Sequence, residues 1–214
     1  MKTFMVILIG FIGVSAMYSQ EKPASSKYAL SFGMAGNFTL NKFNGSIAVK
    51  KILDDTHQLR LFLSPSISSS KEETDNESFI KKETRESVDL SLGIGADYLW
   101  MLLNDEDFNM FGGTGLSFTY GYYRNKRVTP TSTGGENILD STIPSIAMGV
   151  RGILGVEWMV SKRIGIHSEY LLSGFYNWDK TMFRSNSLAN PDRTAIGNRI
   201  SLSSSVLFGV SIYL

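Results

Sequence analysis

Eight ionisable residues fall where an alternating strand would carry its polar side: Arg60, Asp89, Asp97, Arg151, Glu157, His167, Glu169 and Arg199. Apolar side chains flank many of them, as in Leu59-Arg60-Leu61 and Val88-Asp89-Leu90. Charges gathered on the inner face of half-buried strands must pair, or else line a water-filled path, because an unpaired charge out of water carries a large desolvation cost. Two chemistries follow: an interior network of salt bridges and hydrogen bonds, or a narrow pore lined by the same groups. Nucleophilic catalysis fits poorly. A nucleophile needs its base within hydrogen-bond reach, yet His167 is followed directly by Ser168, on the opposite face of a strand. Glu169 shares the His167 face and belongs with the interior network, while the other histidine, His57, falls at a turn. No metal or cofactor site is expected. The chain has no cysteine, the acidic turn Asn104-Asp105-Glu106-Asp107 lacks the spacing of a calcium loop, and Phe111-Gly112-Gly113-Thr114-Gly115 lies within a strand.

The elements that would position these residues are strands. From Ile200 to Leu214, seven of eight alternate residues are apolar, and those between them, Arg199 to Tyr213, are mostly small or polar. Period-two alternation of this kind specifies a strand with one greasy face and one wet face. Seven earlier stretches share the pattern. They centre on Tyr28–Phe38, Ser46–Leu53 (interrupted at Lys50-Lys51), Leu59–Ile67, Val88–Trp100, Phe108–Tyr122, Ile146–Trp158 and Ile164–Trp178. The Asn44-Gly45 pair predicts a turn between the first two, and Pro65, which has no N–H to donate, predicts a break in pairing within the third. Polar connections at 70–86, 124–142 and 179–198 read as long loops, whereas Asp54-Asp55-Thr56, 104–107 and Ser161-Lys162-Arg163 read as tight turns. Short and long connections thus alternate, as in an up-and-down barrel with brief turns at one rim.

Aromatic residues sort to the two ends. Tyr98, Trp100, Trp158 and Tyr213 fall at one, and Tyr120, Tyr122, Tyr176 and Trp178 at the other, as an interfacial girdle requires. The inner parity is largely Gly, Ser and Ala with isolated charges, unlike the water-facing side of a soluble sandwich or lipocalin-like barrel. The expected fold is therefore all-β: an eight-stranded antiparallel up-and-down transmembrane β-barrel spanning 27–214. A mean hydropathy near zero is compatible with this, since alternation dilutes the apolar signal. A net charge of +1 gives no nucleic-acid footprint.

Residues 1–20 read as a cleaved signal peptide, with Lys2 ahead of an apolar run from Phe4 to Val14 and small residues at 14–16. That run is shorter than the ~20 residues a spanning helix needs. Residues 21–26 then form a polar periplasmic lead-in.

On these patterns the chain resembles the small eight-stranded outer-membrane proteins of Gram-negative bacteria, the OmpA- and OmpX-like group. Ile212, Val210, Phe208 and Val206 match that group's C-terminal assembly signal, which ends in an aromatic residue where this chain has Leu214. The resemblance implies the cell outer membrane as location, contact with outer-membrane lipid and lipopolysaccharide, and insertion by the barrel-assembly machinery. It implies a non-enzymatic envelope or surface-interaction role through the outer loops. The alternative is a small porin-like channel. A lipid hydrolase of the lipid A deacylase kind fits less well, because such enzymes place His and Ser two residues apart. N-terminal sequencing of the exported protein is expected to begin between residues 17 and 21; retention of Met1 to Ala16 would rule out cleavage there.

Overall fold

The computed structural model describes residues 27–35, 42–75, 82–105, 107–130, 135–186 and 192–214. The signal peptide and lead-in lie outside the described residues, as do Phe38 and Glu106. Eight strands follow one another: β1 (Tyr28–Ala35), β2 (Lys42–Ile52), β3 (His57–Asp75), β4 (Lys82–Asn104), β5 (Phe108–Pro130), β6 (Glu136–Ser161), β7 (Ile164–Ser185) and β8 (Arg193–Tyr213). Each pairs antiparallel with its sequence neighbour, and β8 closes on β1 through Leu30↔Ile212 and Phe32↔Val210. The expected eight-stranded up-and-down barrel is thus the observed one. Closure leaves no strand edge open at the seam, the condition for a sheet in lipid. The chain end is tied in as well, with the Leu214 amide donating to the Tyr28 carbonyl at 2.9 Å.

Following paired residues once around the wall gives the stagger. From Tyr213 the row runs through Ala29, Lys50, Arg60, Asp97, Gly115, Arg151 and Ser173 to Ser203, ten residues from its start on β8. Eight strands at this stagger enclose a space that side chains nearly fill. Alternation does the sorting. Leu61, Ile94, Leu116, Met148, Val150, Leu172 and Leu202 stand exposed on the exterior, while Ala29, Ser31, Ala48, Arg60, Phe62 and Asp97 are buried inside.

Several expectations need correction. The stretches read as outer loops are mostly strand, since β3 continues to Asp75, β5 to Pro130 and β7 to Ser185. Beyond the membrane a strand has no lipid to face, so it loses the apolar alternation that marks it in sequence. Charge complementarity holds the ribbons there instead, because Lys71, Glu86, Lys126, Asp140 and Arg184 follow one another in register across five strands. Asn44-Gly45 is no turn; it lies inside β2, where Gly45 pairs with Met34. Lys50-Lys51 does not interrupt β2 either, because Lys50 turns inward and Lys51 outward. The pairing break at Pro65 is observed: the β2–β3 ladder lapses between Asn44↔Ser66 and Ile47↔Leu63. A matching lapse occurs beside Pro144, between Thr142↔Met182 and Ser145↔Asp179.

Glycines stand opposite the bulkiest inward side chains. Gly155 faces Phe111, Gly95 faces Phe62, Gly209 faces His167 and Gly115 faces Asp97. A Cβ at Gly115 would overlap the Asp97 carboxylate and approach the Ala96 carbonyl to 2.6 Å. Gly115→Val is therefore expected to abolish the heat-modifiable gel shift of the refolded barrel. Gly152→Ala, with nothing closer than 4.0 Å, is expected to keep it; a normal shift for Gly115→Val would refute the packing role.

Candidate functional site

The charged side chains meet in a buried cluster inside the lower half of the barrel, and strand parity brings them together. Arg60 on β3 faces Asp97 on β4, and Glu157 on β6 faces His167 on β7, each pair on inward positions of adjacent strands. Arg60 Nε donates to Asp97 Oδ2 at 2.8 Å, and its Nη1 donates to Glu169 Oε1 at 2.5 Å. Arg151 grips the same Asp97, with Nε donating to Oδ1 at 2.6 Å and Nη2 to Oδ2. Its guanidinium also lies 3.6 Å from the Phe62 ring centroid. Asp97 thus accepts from two arginines, which secures it on both oxygens.

The second half of the cluster centres on Lys50, which sequence reasoning missed. Lys50 is only 1% exposed. It donates to Glu157 Oε1 at 3.4 Å and to Ser211 Oγ at 3.0 Å. Its parity with Ala48, opposite the outward Ile47 and Val49, was the signal available; reading Lys50-Lys51 as one interruption obscures it. His167 lies between the halves. Its Nδ1 shares a hydrogen bond with Ser211 Oγ at 3.2 Å and its Nε2 one with Ser31 Oγ at 3.4 Å. Glu157 and Glu169 stand 3.9 and 3.7 Å from the ring nitrogens.

Tyr213 requires a correction. Expected in the aromatic girdle, it instead points inward, buried, and its hydroxyl donates to Glu157 Oε2. The reason is parity: Tyr213 is two residues from Ser211, so it shares the inner face, and Leu214 takes the exterior position. The other girdle candidates Tyr98, Trp100, Tyr120, Trp158, Tyr176 and Trp178 stand exposed on the exterior, with Tyr122 half-buried on the same face. Asp89 and Arg199 lie apart from the cluster. Both are exposed on the outer halves of β4 and β8, where the barrel is open to solvent.

Three cations (Lys50, Arg60, Arg151) therefore meet three carboxylates (Asp97, Glu157, Glu169), and the buried charges balance. Beside them an apolar group of Leu99, Phe111, Ile153 and Leu171 fills the interior. Above the arginines lies a cavity of about 250 Å³ whose wall includes Ser64, Ser66, Ser91 and Ser203 together with Arg60, Arg151, His167 and Glu169 of the cluster. Among the described residues no group of His, Asp and Glu is arranged to hold a metal ion. Ser31 and Ser211 both reach His167; Ser211 is wholly buried, whereas Ser31 and His167 lie on the wall of that cavity.

Outside the span, ion pairs are solvated. The Arg124 guanidinium bonded to Asp140 holds that carboxyl below its usual range, and Arg127 does the same for Glu83. At the opposite rim, the Thr56 hydroxyl and amide hold the Asp54 carboxyl down at about 2.

No family model matches the chain, nor does any curated protein. Solved structures do resemble it. Neisserial surface protein A is 14% identical with a TM-score of 0.46, over 89% of this chain and 98% of that one. CarO2 of Acinetobacter baumannii is 12% identical with a TM-score of 0.47, over 87% and 97%. A major outer membrane protein from Thermus thermophilus is 11% identical with a TM-score of 0.43, over 89% and 100%. The barrel itself is established by the strand pairing above.

Removing one partner of a buried pair leaves the other charge uncompensated. Lys50→Met is expected to cost roughly 3–5 kcal/mol in urea unfolding from lipid vesicles. The Lys50→Met/Glu157→Gln double variant is expected to recover most of it. Equal losses in both would show that the pair is not coupled.

Proposed function

We propose that this chain is an outer-membrane β-barrel protein with a non-enzymatic role, in envelope structure and surface interaction, and that its lumen does not conduct. The apolar exterior supports the membrane placement, since a contiguous greasy band of this extent is not kept in water by a soluble monomer. A closed barrel is also one of the two architectures that satisfy every backbone group in lipid. The observation that carries the functional reading is the charge-balanced cluster. Arg60, Asp97 and Glu169 on one side and Lys50, Glu157 and His167 on the other are almost fully buried. Glycines opposite Asp97 and His167 let these side chains fill the width. Such an interior is a plug rather than a conduit. What projects outward is then the part available to partners: the outer halves of β3 to β8, which rise well beyond the roughly 9–11 residues a spanning strand needs.

A porin-like channel is the competing reading, and conductance separates the two. Purified protein in planar bilayers is expected to give no steady ion-selective openings; discrete, reproducible openings would overturn the plugged lumen. Fractionation with the outer membrane and heat-modifiable migration are expected as well, and a soluble periplasmic protein would show neither.

A further inference from the structure

The cavity above the arginines ends on the plug and opens outward. Arg60, Arg151, His167 and Glu169 form its inner end, and the deeper Lys50, Glu157, Leu99 and Phe111 are not part of its wall. Toward the outer end, Ser203 and Ser205 of the wall face the lumen yet stand exposed, as does Asp89, two residues outward of Ser91. The cavity is therefore a cup with its mouth on the outer side. Its volume of about 250 Å³ falls just under the ~300–1,000 Å³ of sites for drug-sized ligands, so an occupant must be small.

The wall of the cup carries hydrogen-bonding groups that the protein itself leaves unused. Nine serines and Thr119 line it. Among the described residues, Ser31 alone of these ten is tied by a side-chain hydrogen bond, to His167 at 3.4 Å. Ser117, on the lumen face between Gly115 and Thr119, has a buried hydroxyl with no partner among the described residues, and an unsatisfied buried polar group costs free energy. The arginines keep capacity as well. Arg60 gives Nε and Nη1 to the carboxylates and Arg151 gives Nε and Nη2, which leaves Arg60 Nη2 and Arg151 Nη1 as donors. Phe175 and Leu207 add apolar patches to the same wall.

We propose that this cup binds one small neutral polyhydroxy molecule, a monosaccharide or polyol of hexose size, entering from the outer side. The assignment rests on the plugged lumen proposed above. A sugar presents hydroxyls that both donate and accept, and C–H groups between them. It therefore answers the serines, the arginine N–H groups and the apolar patches together. Charge selects against an ion. Arg60 and Arg151 are already balanced by Glu169 on the wall and by Asp97 buried behind it, so an anion in the cup would add a charge that none of them is free to answer. His167, the other titratable group on the wall, is engaged through both ring nitrogens with Ser31 and Ser211. A purely apolar ligand would strip water from the serines and return no hydrogen bonds.

The test uses the full-length folded barrel in an amine-oxide detergent, which has no sugar headgroup. Saturation-transfer NMR reads binding of glucose, galactose, mannose and sorbitol, with acetate and inorganic phosphate as competitors. At least one of the four is expected to bind with a Kd on the order of 1 mM or tighter, and neither anion to displace it. Ser91→Phe, placed between Ser66 and Gly121, fills the cup and is expected to weaken binding at least about tenfold while keeping the heat-modifiable shift. Ser64→Leu serves if that variant does not fold. Ser117→Ala is expected to lower affinity at least about threefold with no loss of stability in urea, because it deletes an unpartnered polar group. Lys162→Glu at the opposite rim is expected to leave binding unchanged. Binding of none of the four at about ten times that concentration would overturn the proposal. So would displacement by acetate or phosphate, or wild-type affinity in both Ser91→Phe and Ser117→Ala. Steady openings in planar bilayers would instead overturn the plug; a non-conducting barrel that binds none of the four would overturn only the sugar site.

Discussion

Closure in a water-free medium is the constraint on which this structure depends. A sheet edge exposed to hydrocarbon would leave a row of backbone N–H and C=O groups unsatisfied at several kcal/mol each. β8 must therefore find β1, and eight strands with a ten-residue stagger fix an interior that side chains can fill. Everything inside answers to that width. Charges within it are taken out of bulk water, and each is answered by another: Asp97 by Arg60 and Arg151, Glu157 by Lys50, Glu169 by Arg60.

The cluster also joins parts of the wall that are distant in sequence. Lys50 on β2 reaches Glu157 on β6 and Ser211 on β8, and Tyr213 reaches Glu157 from the end of the chain. Ser31 on β1 and Ser211 on β8 both bond His167, which places polar contacts on each side of the β1–β8 seam. The seam, whose strands are the most widely separated in sequence, is thus supported from within as well as by its ladder. Glycines make this possible, since a methyl group opposite Asp97 or His167 would occupy the space the charged side chain needs.

Above the span the physics changes. Water can satisfy backbone groups there, so the outer halves of β3 to β8 need no apolar face. Alternating charge from Lys71 to Arg184 matches the ribbons to one another instead. On β5, Lys126 stands in register between Glu86 and Asp140.

Much of this was legible in the amino-acid order. The alternation of Leu59, Leu61 and Leu63 against Arg60, or of Val156 and Trp158 against Glu157, determined which residues face lipid and which face the lumen, because a strand has a side-chain period of two and lipid tolerates only one kind of face. The same parity rule, applied strictly, would have put Lys50 and Tyr213 inside. The adjacent Lys51 and the expectation of an aromatic rim hid them. The polar stretches at 70–86, 124–142 and 179–198 gave no such signal, because strands in water need no apolar alternation and only pairing partners reveal them. Which charge meets which was likewise decided by tertiary structure alone. Lys50 and Glu157 are 107 residues apart, and only the stagger of the closed barrel brings β2, β6 and β8 together at one neutral cluster.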